Sequence, residues 1–335
     1  MRRIIFALAI LMAMPIVMRA QESSFSNLKK MARSGMANAM FELGWRYYNG
    51  EDVEKDDKKA LKWYIKAAAK GDTVAMFNIA TMYEKGEGTR QNIKKAYGWY
   101  RRAANLGYPD AMYNVGVFYE TGELFPADTE QAFYWYSRAA EKGDGAAMSA
   151  VGVFYENGIG IEQNKQQAVE WYKKGAAAGD AQGMVNLGAC YIEGIYVEKD
   201  TAKAIELYQR AVDEENTIAM NNLGWFYLND RSEENKLDMA IELFNHAAEL
   251  EDPEGYYNLG YMFEEGIGVD SDPLIAIGYY KRAADMFYIE AMIKLANIYY
   301  ELGEIKNARK WISKALDIDP ENIKAIETKK TIEEG

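Results

Sequence analysis

The sequence predicts an all-α protein, a right-handed α-solenoid of stacked helix–turn–helix repeats. Three observations predict it. A small residue recurs every 36 positions, at Ala39, Ala75, Ala111, Ala147, Gly183, Ala219, Gly255 and Ala291. Four or five residues after each stands an apolar–small pair, from Leu43-Gly44 to Leu295-Ala296, and at offset eight an aromatic, from Tyr47 to Tyr299. A capping residue also keeps one phase, at Asp56, Asn92, Asp128, Asn164, Asp200 and Asp272.

Each unit then follows in order. Offsets 0, 4, 7 and 8 share one face of a helix, so the small, apolar and aromatic set reads as a first helix. Gly-rich breaks such as "NGED", "KGEG" and "EGIG" end it. The capping residue opens a second helix, and Pro273 suits a first helical position. Four residues after the cap comes an Ala, then an aromatic or apolar pair such as Trp63-Tyr64, Trp99-Tyr100, Trp135-Tyr136, Trp171-Tyr172 or Leu207-Tyr208. Gly71, Gly107, Gly143 and Gly179 supply a left-handed stop. Glu215, Glu251 and Phe287 take that slot in later copies, so those helices are expected to end differently. One such hairpin cannot bury its own apolar face, so neighbours must stack.

The expected organisation is a leader over residues 1–20, an N-terminal capping helix over 21–35, seven 36-residue repeats over 36–290, a shorter last repeat over 291–319 and a C-terminal capping helix over 320–335. The leader rests on Arg2 and Arg3, the apolar run from Ile4 to Met18, and Ala20 before a polar stretch; a cut after Ala20 is expected. That run falls short of the about 20 residues a membrane span needs, and Pro15 interrupts it. No membrane insertion is expected once the leader is removed, and the mature protein is expected to be periplasmic or secreted.

Composition narrows the function. The chain holds 39 basic and 51 acidic residues, a net charge of −12. Loss of Arg2, Arg3 and Arg19 with the leader leaves 36 basic residues against 51 acidic ones, a charge of −15. Such a surface repels nucleic acid, so none is expected as a partner. Cys190 is the single cysteine and cannot form an internal disulfide. It takes an apolar slot of the repeat and reads as core, whereas the single histidine, His246, reads as surface.

These residues resemble the Sel1-like repeat family, a relative of the tetratricopeptide repeat. The family pattern joins an A-x-x-x-L-G-x-x-Y helix, a G-x-G-V-type turn and a K-A-x-x-W-Y-x-K-A-A-x-x-G helix. Repeats opening at Ala39, Ala75, Ala147 and Gly183 carry nearly all of it, and the last, ending in "DIDP", is similar to a tetratricopeptide unit. The resemblance implies a non-enzymatic scaffold or adaptor whose first helices line a concave side. It also implies that Asn on those helices can bond the backbone of a bound extended segment. Some secreted relatives are linked to penicillin binding, but they carry a cysteine pair in each repeat, which one Cys in eight repeats does not supply.

No metal, phosphate or nucleophile constellation is present in the sequence, so neither cofactor nor catalysis is expected. Carboxylates at offset nine, Glu84, Glu120, Glu156 and Glu264, stand one per repeat and read as a solvated stripe. The outward arc of the first helices is less bland. Offset two holds Phe41, Phe77, Tyr113 and Tyr257, and offset six holds Trp45, Trp225 and Tyr261. Offset three is Asn in five copies: Asn78, Asn114, Asn186, Asn222 and Asn258. An amide offers donor and acceptor together, and aromatics offer anchoring area. Asn78, Asn114, Asn186, Asn222, Asn258, Trp45, Trp225, Tyr261, Tyr113 and Phe77 are therefore the candidate partner-binding residues. The bland alternative is that offset two packs on the adjacent repeat and Asn ties neighbouring helices.

The function expected from this reading is an exported interaction scaffold that binds a protein or extended peptide. A self-assembling envelope subunit is the second reading, and a β-lactam-binding protein the third.

Overall fold

The computed structural model describes residues 25–230 and 235–334. The leader over residues 1–20 and the cut after Ala20 lie outside the described residues. Within them the chain forms eighteen helices and no strand. They run α1 (Phe25–Arg33), α2 (Ala37–Asn49), α3 (Asp57–Ala68), α4 (Thr73–Lys85), α5 (Ile93–Asn105) and α6 (Pro109–Thr121). Next come α7 (Thr129–Glu141), α8 (Gly145–Asn157), α9 (Lys165–Ala177), α10 (Ala181–Glu193), α11 (Thr201–Asp213) and α12 (Thr217–Asn229). The series closes with α13 (Asn235–Glu249), α14 (Pro253–Glu265), α15 (Pro273–Asp285), α16 (Ile289–Glu301), α17 (Ile305–Ile318) and α18 (Ile323–Glu334). Two compact units result: one reaches Asn186 and includes Ile195–Val197, and the other takes Leu187–Gly194 and the chain from Glu198 onward.

In each unit, first and second helices of a hairpin pack on one another, as α2 on α3 and α14 on α15, and each second helix packs on the next first helix, as α5 on α6 and α13 on α14. The expected caps of the second helices form. Asp56, Asn92, Asp128, Asn164 and Asp200 each accept the backbone N–H three residues on. A second cap series keeps the same period but stands on the first helices. Asp72, Asp144, Asn216 and Asp252 accept from Ala75, Ala147, Ala219 and Gly255 at 2.8–3.0 Å. Each cap satisfies an N–H that the helix itself leaves unbonded.

The ends of the later second helices correct an expectation. Glu215, Glu251 and Phe287 do not end their helices differently; they adopt the same left-handed turn as the glycines, with φ of 56°, 58° and 66°. The Glu251 N–H bonds the Ala248 carbonyl at 3.0 Å, as the Gly71 N–H bonds that of Ala68 at 3.0 Å. Stacking dictates the turn, and a side chain there costs about 1–2 kcal/mol in backbone strain.

The small residue of each apolar–small pair has a steric reason. A Cβ built on Gly152 would lie 2.5 Å from the ring of Tyr172, and one on Gly116 would lie 2.6 Å from that of Tyr136. The tyrosine of the second helix thus rests directly on the backbone of the first. Tyr64, Tyr100, Tyr136, Tyr172 and Tyr280 are each at most 1% exposed.

Candidate functional site

Six second helices place a tyrosine in this register, and the hydroxyl of each must be met by a partner or by solvent. Tyr100 donates to Glu84 at 2.7 Å, Tyr136 to Glu120 at 2.5 Å and Tyr280 to Glu264 at 2.6 Å, and Tyr172 donates to Glu156. Each pair spans 16 residues and ties the second helix of a hairpin to the end of its first. The carboxylates at offset nine are therefore no mere solvated stripe: they are the acceptors of a tyrosine clasp. The wheel could not show this, because the donor sits on the other helix. Tyr64 is bonded by Asn78 instead.

The fifth repeat, which carries Tyr208, also lacks the clasp. Position 192 is Ile, and the Tyr208 hydroxyl has no hydrogen-bond partner among the described residues, although Tyr208 is only 5% exposed. Burial, with the charges of Cys190 and Glu193, pushes its pKa up to about 12. Here the second unit opens into a depression of ≈ 520 Å³, lined by Ile192, Tyr208, Asn222, Trp225, Phe226, Asn229 and Asp230. Four of these residues lie on α12. Asn222 is half-buried and has no hydrogen-bond partner among the described residues. Asn229 donates its amide to the Trp225 carbonyl at 2.8 Å, leaving its side-chain oxygen free to accept. Asp230 is held by Lys236 at 2.5 Å. The volume lies in the range of ligand-binding clefts, and the lining alternates aromatic surface with amides.

Behind the depression a polar network fixes Trp225. Its indole N–H donates to Asn258 at 3.0 Å, and Asn258 donates to Asn221 at 3.0 Å. Asn221 and Thr217 donate to the two oxygens of Asp252, at 3.0 and 2.8 Å, while Asp252 caps α14. The Trp225 ring lies 5.4 Å from that of Tyr261 and 6.1 Å from that of Phe244. Sequence reasoning missed Tyr208, Ile192 and Asn221. The break in the Glu–Tyr spacing at Ile192 was the available signal.

The other candidates divide. Asn78, Asn114 and Asn258 are buried at 6%, 0% and 1% exposure, so they do not face a partner. Asn258 ties two first helices, and neither amide atom of Asn114 has a protein partner. Asn186 is half-buried and accepts from Gln182 at 2.8 Å. Phe77 is buried against Tyr100 and Tyr108, and Tyr113 packs on Tyr136 at 5.3 Å. Trp45 is half-buried on the core of the first unit. Trp45, Tyr113, Asn186, Asn222, Trp225 and Tyr261 are all half-buried, and of them Asn222 and Trp225 line the depression. The physical reason is crowding: α14 packs on α12, α13 and α15 at once, and Phe77 on α4 meets both Tyr100 and Tyr108, so a wheel with one buried face undercounts the buried positions.

His246 is exposed and Cys190 is buried in the core. Among the described residues no group of three metal-ligating side chains converges, and no helix is long and apolar enough to cross a membrane.

Comparison with known proteins gives the same repeat register. The Sel1 repeat model matches residues 37–72, 73–108, 109–144, 145–180, 181–216, 217–252 and 253–286, and a tetratricopeptide repeat model matches 289–322. No curated protein sequence matches significantly. Among solved structures, a protective antigen of uropathogenic Escherichia coli with an SLR fold is similar at 32% identity and a TM-score of 0.62. The alignment covers 87% of this chain and 63% of that one, so this chain spans less than two thirds of its length. A Sel1 repeat protein of Oxalobacter formigenes is similar at 29% identity and a TM-score of 0.59, covering 80% of this chain and 77% of that one.

Proposed function

Because the chain belongs to the Sel1 repeat family, we propose that it is an exported, non-enzymatic interaction scaffold that holds a segment of a partner protein against the α12 face. Its repeats are of the kind that serves protein–protein interaction. One observation carries the placement. Tyr208 and Asn222, neither with a hydrogen-bond partner among the described residues, line a depression with Trp225 and Phe226. Aromatic area supplies affinity there, and the polar groups supply registration. The export part rests on Arg2, Arg3 and the apolar run before Ala20, and the absence of catalysis rests on the missing acid–base and nucleophile pairs.

Asn222 offers the cleanest test, since its side chain has no hydrogen-bond partner among the described residues. Asn222→Ala is expected to leave the melting temperature unchanged and to weaken capture of the native partner about five- to tenfold, the worth of one or two hydrogen bonds. The measurement is quantitative affinity capture from the envelope fraction of the source cells, wild type beside variant. Equal capture by both would overturn the placement at α12.

A further inference from the structure

The clasp repeated along the chain says what Tyr208 is built to meet. In four hairpins the tyrosine hydroxyl donates to a carboxylate sixteen residues earlier, and at Tyr208 that acceptor is replaced by the side chain of Ile192. Tyr208 is 5% exposed, lines the depression and carries a hydroxyl donor that meets no acceptor among the described residues. An acceptor from outside the chain completes it. We infer that this acceptor is a backbone carbonyl of an extended, uncharged stretch of polypeptide, with Asn222 and Asn229 bonding the same strand further along. This rests on the scaffold reading above and names the chemistry of the segment bound.

Charge decides against an acidic ligand. Asp230 is already neutralised by Lys236, Glu193 acts on Tyr208 as a negative charge, and no unpaired cation lines the depression. A carboxylate or phosphate placed here would be desolvated beside like charge. A neutral carbonyl accepts the same hydrogen bond without that cost.

Spacing favours a strand. Asn222 and Asn229 are seven residues apart on α12, about 10 Å along its axis, which three residues of extended chain cover. Between them stand Trp225 and Phe226, with Ile192 beside them, an apolar floor for one or two side chains of the segment. The Trp225 indole N–H is already given to Asn258, so it has no donor for a sugar hydroxyl.

Two variants of the full chain test this. Ile192→Glu restores the clasp within the molecule and closes the site from inside; Tyr208→Phe removes the donor. The probe is an arrayed set of twelve-residue peptides in uncharged, acidic and basic groups, with a neutral hexasaccharide as competitor. Wild type is expected to retain members of the uncharged group, and each variant to weaken that retention about tenfold. Ile192→Glu should do so with a melting temperature equal to or above that of wild type, which loss of fold cannot explain. Retention unaffected by both variants, strongest retention of acidic peptides, competition by the hexasaccharide, or no retention of uncharged peptides would each overturn the inference. If the native partner is still captured by Ile192→Glu and lost by Asn222→Ala, the scaffold reading stands and the Tyr208 contact alone falls.

Discussion

Raising the pH above 10 is expected to unfold the array within about one to two pH units. Tyr64, Tyr136 and Tyr280 are at most 1% exposed, and burial holds each hydroxyl well above the ordinary tyrosine range. At Tyr136 and Tyr280 the adjoining Glu120 and Glu264 carboxylates push the same way. Tyr208 is raised to about 12. The native state therefore keeps a proton that the unfolded chain gives up near pH 10. This contribution is complete below pH 10 and is lost as pH climbs toward the folded values. Each such tyrosine removes about 1.4 kcal/mol per pH unit, and four remove about 5–6 kcal/mol, comparable with the ~5–15 kcal/mol that holds a typical fold together. Loss of helix content by circular dichroism should coincide with the last portion of the tyrosinate absorbance, in one cooperative step that follows the titration of exposed rings such as Tyr134. Complete ionisation of all 25 tyrosines with helix content intact would show that these rings are open to solvent.

Gly152→Val should destabilise the array by about 3 kcal/mol. The Tyr172 ring occupies the space a Cβ would need, at 2.5 Å, and Val adds two further methyl groups to a wholly buried contact. Overpacking a filled core forces side chains off their rotamers or separates the helices. Here separation also breaks the bond from Tyr172 to Glu156. Ala80 holds the same register above Tyr100, so Gly152→Ala should cost far less. Urea unfolding followed by circular dichroism measures both, and an unchanged midpoint for Gly152→Val would mean that the glycine register is not what sets the helix spacing.

The repeat itself was legible because its signals are local. Asp56 or Asn92 caps the helix that it begins, and Gly71 turns the chain where it stands, so spacing alone locates the helices. The glutamates read as a solvated stripe, and Glu120 is exposed, but its bond to Tyr136 crosses a hairpin and a wheel sees one helix at a time. Asn258 and Phe77 were misplaced for a related reason: a first helix in a stack has three helical neighbours, and only contact between repeats shows which positions remain open. The later C-caps were misjudged in the opposite direction. Glu251 and Phe287 looked like different endings, yet stacking on the next first helix imposes the glycine geometry on them. Ile192, like Tyr48 before Tyr64, was readable in principle as an interruption of the Glu–Tyr spacing beside an intact tyrosine, but nothing marked it before the clasp itself was seen.

The most direct measurement is site-specific photo-crosslinking in the native cell, with a benzophenone side chain placed in turn at Asn229, at the depression, and at Tyr134, exposed on α7. Asn229 is exposed and Tyr134 is 49% exposed, so neither replacement disturbs a buried contact. If the α12 face holds the partner, a discrete crosslinked species forms from Asn229 and not from Tyr134, and Asn222→Ala in the same chain diminishes it. A partner that crosslinks from Tyr134 and leaves Asn229 unmodified would contradict the account.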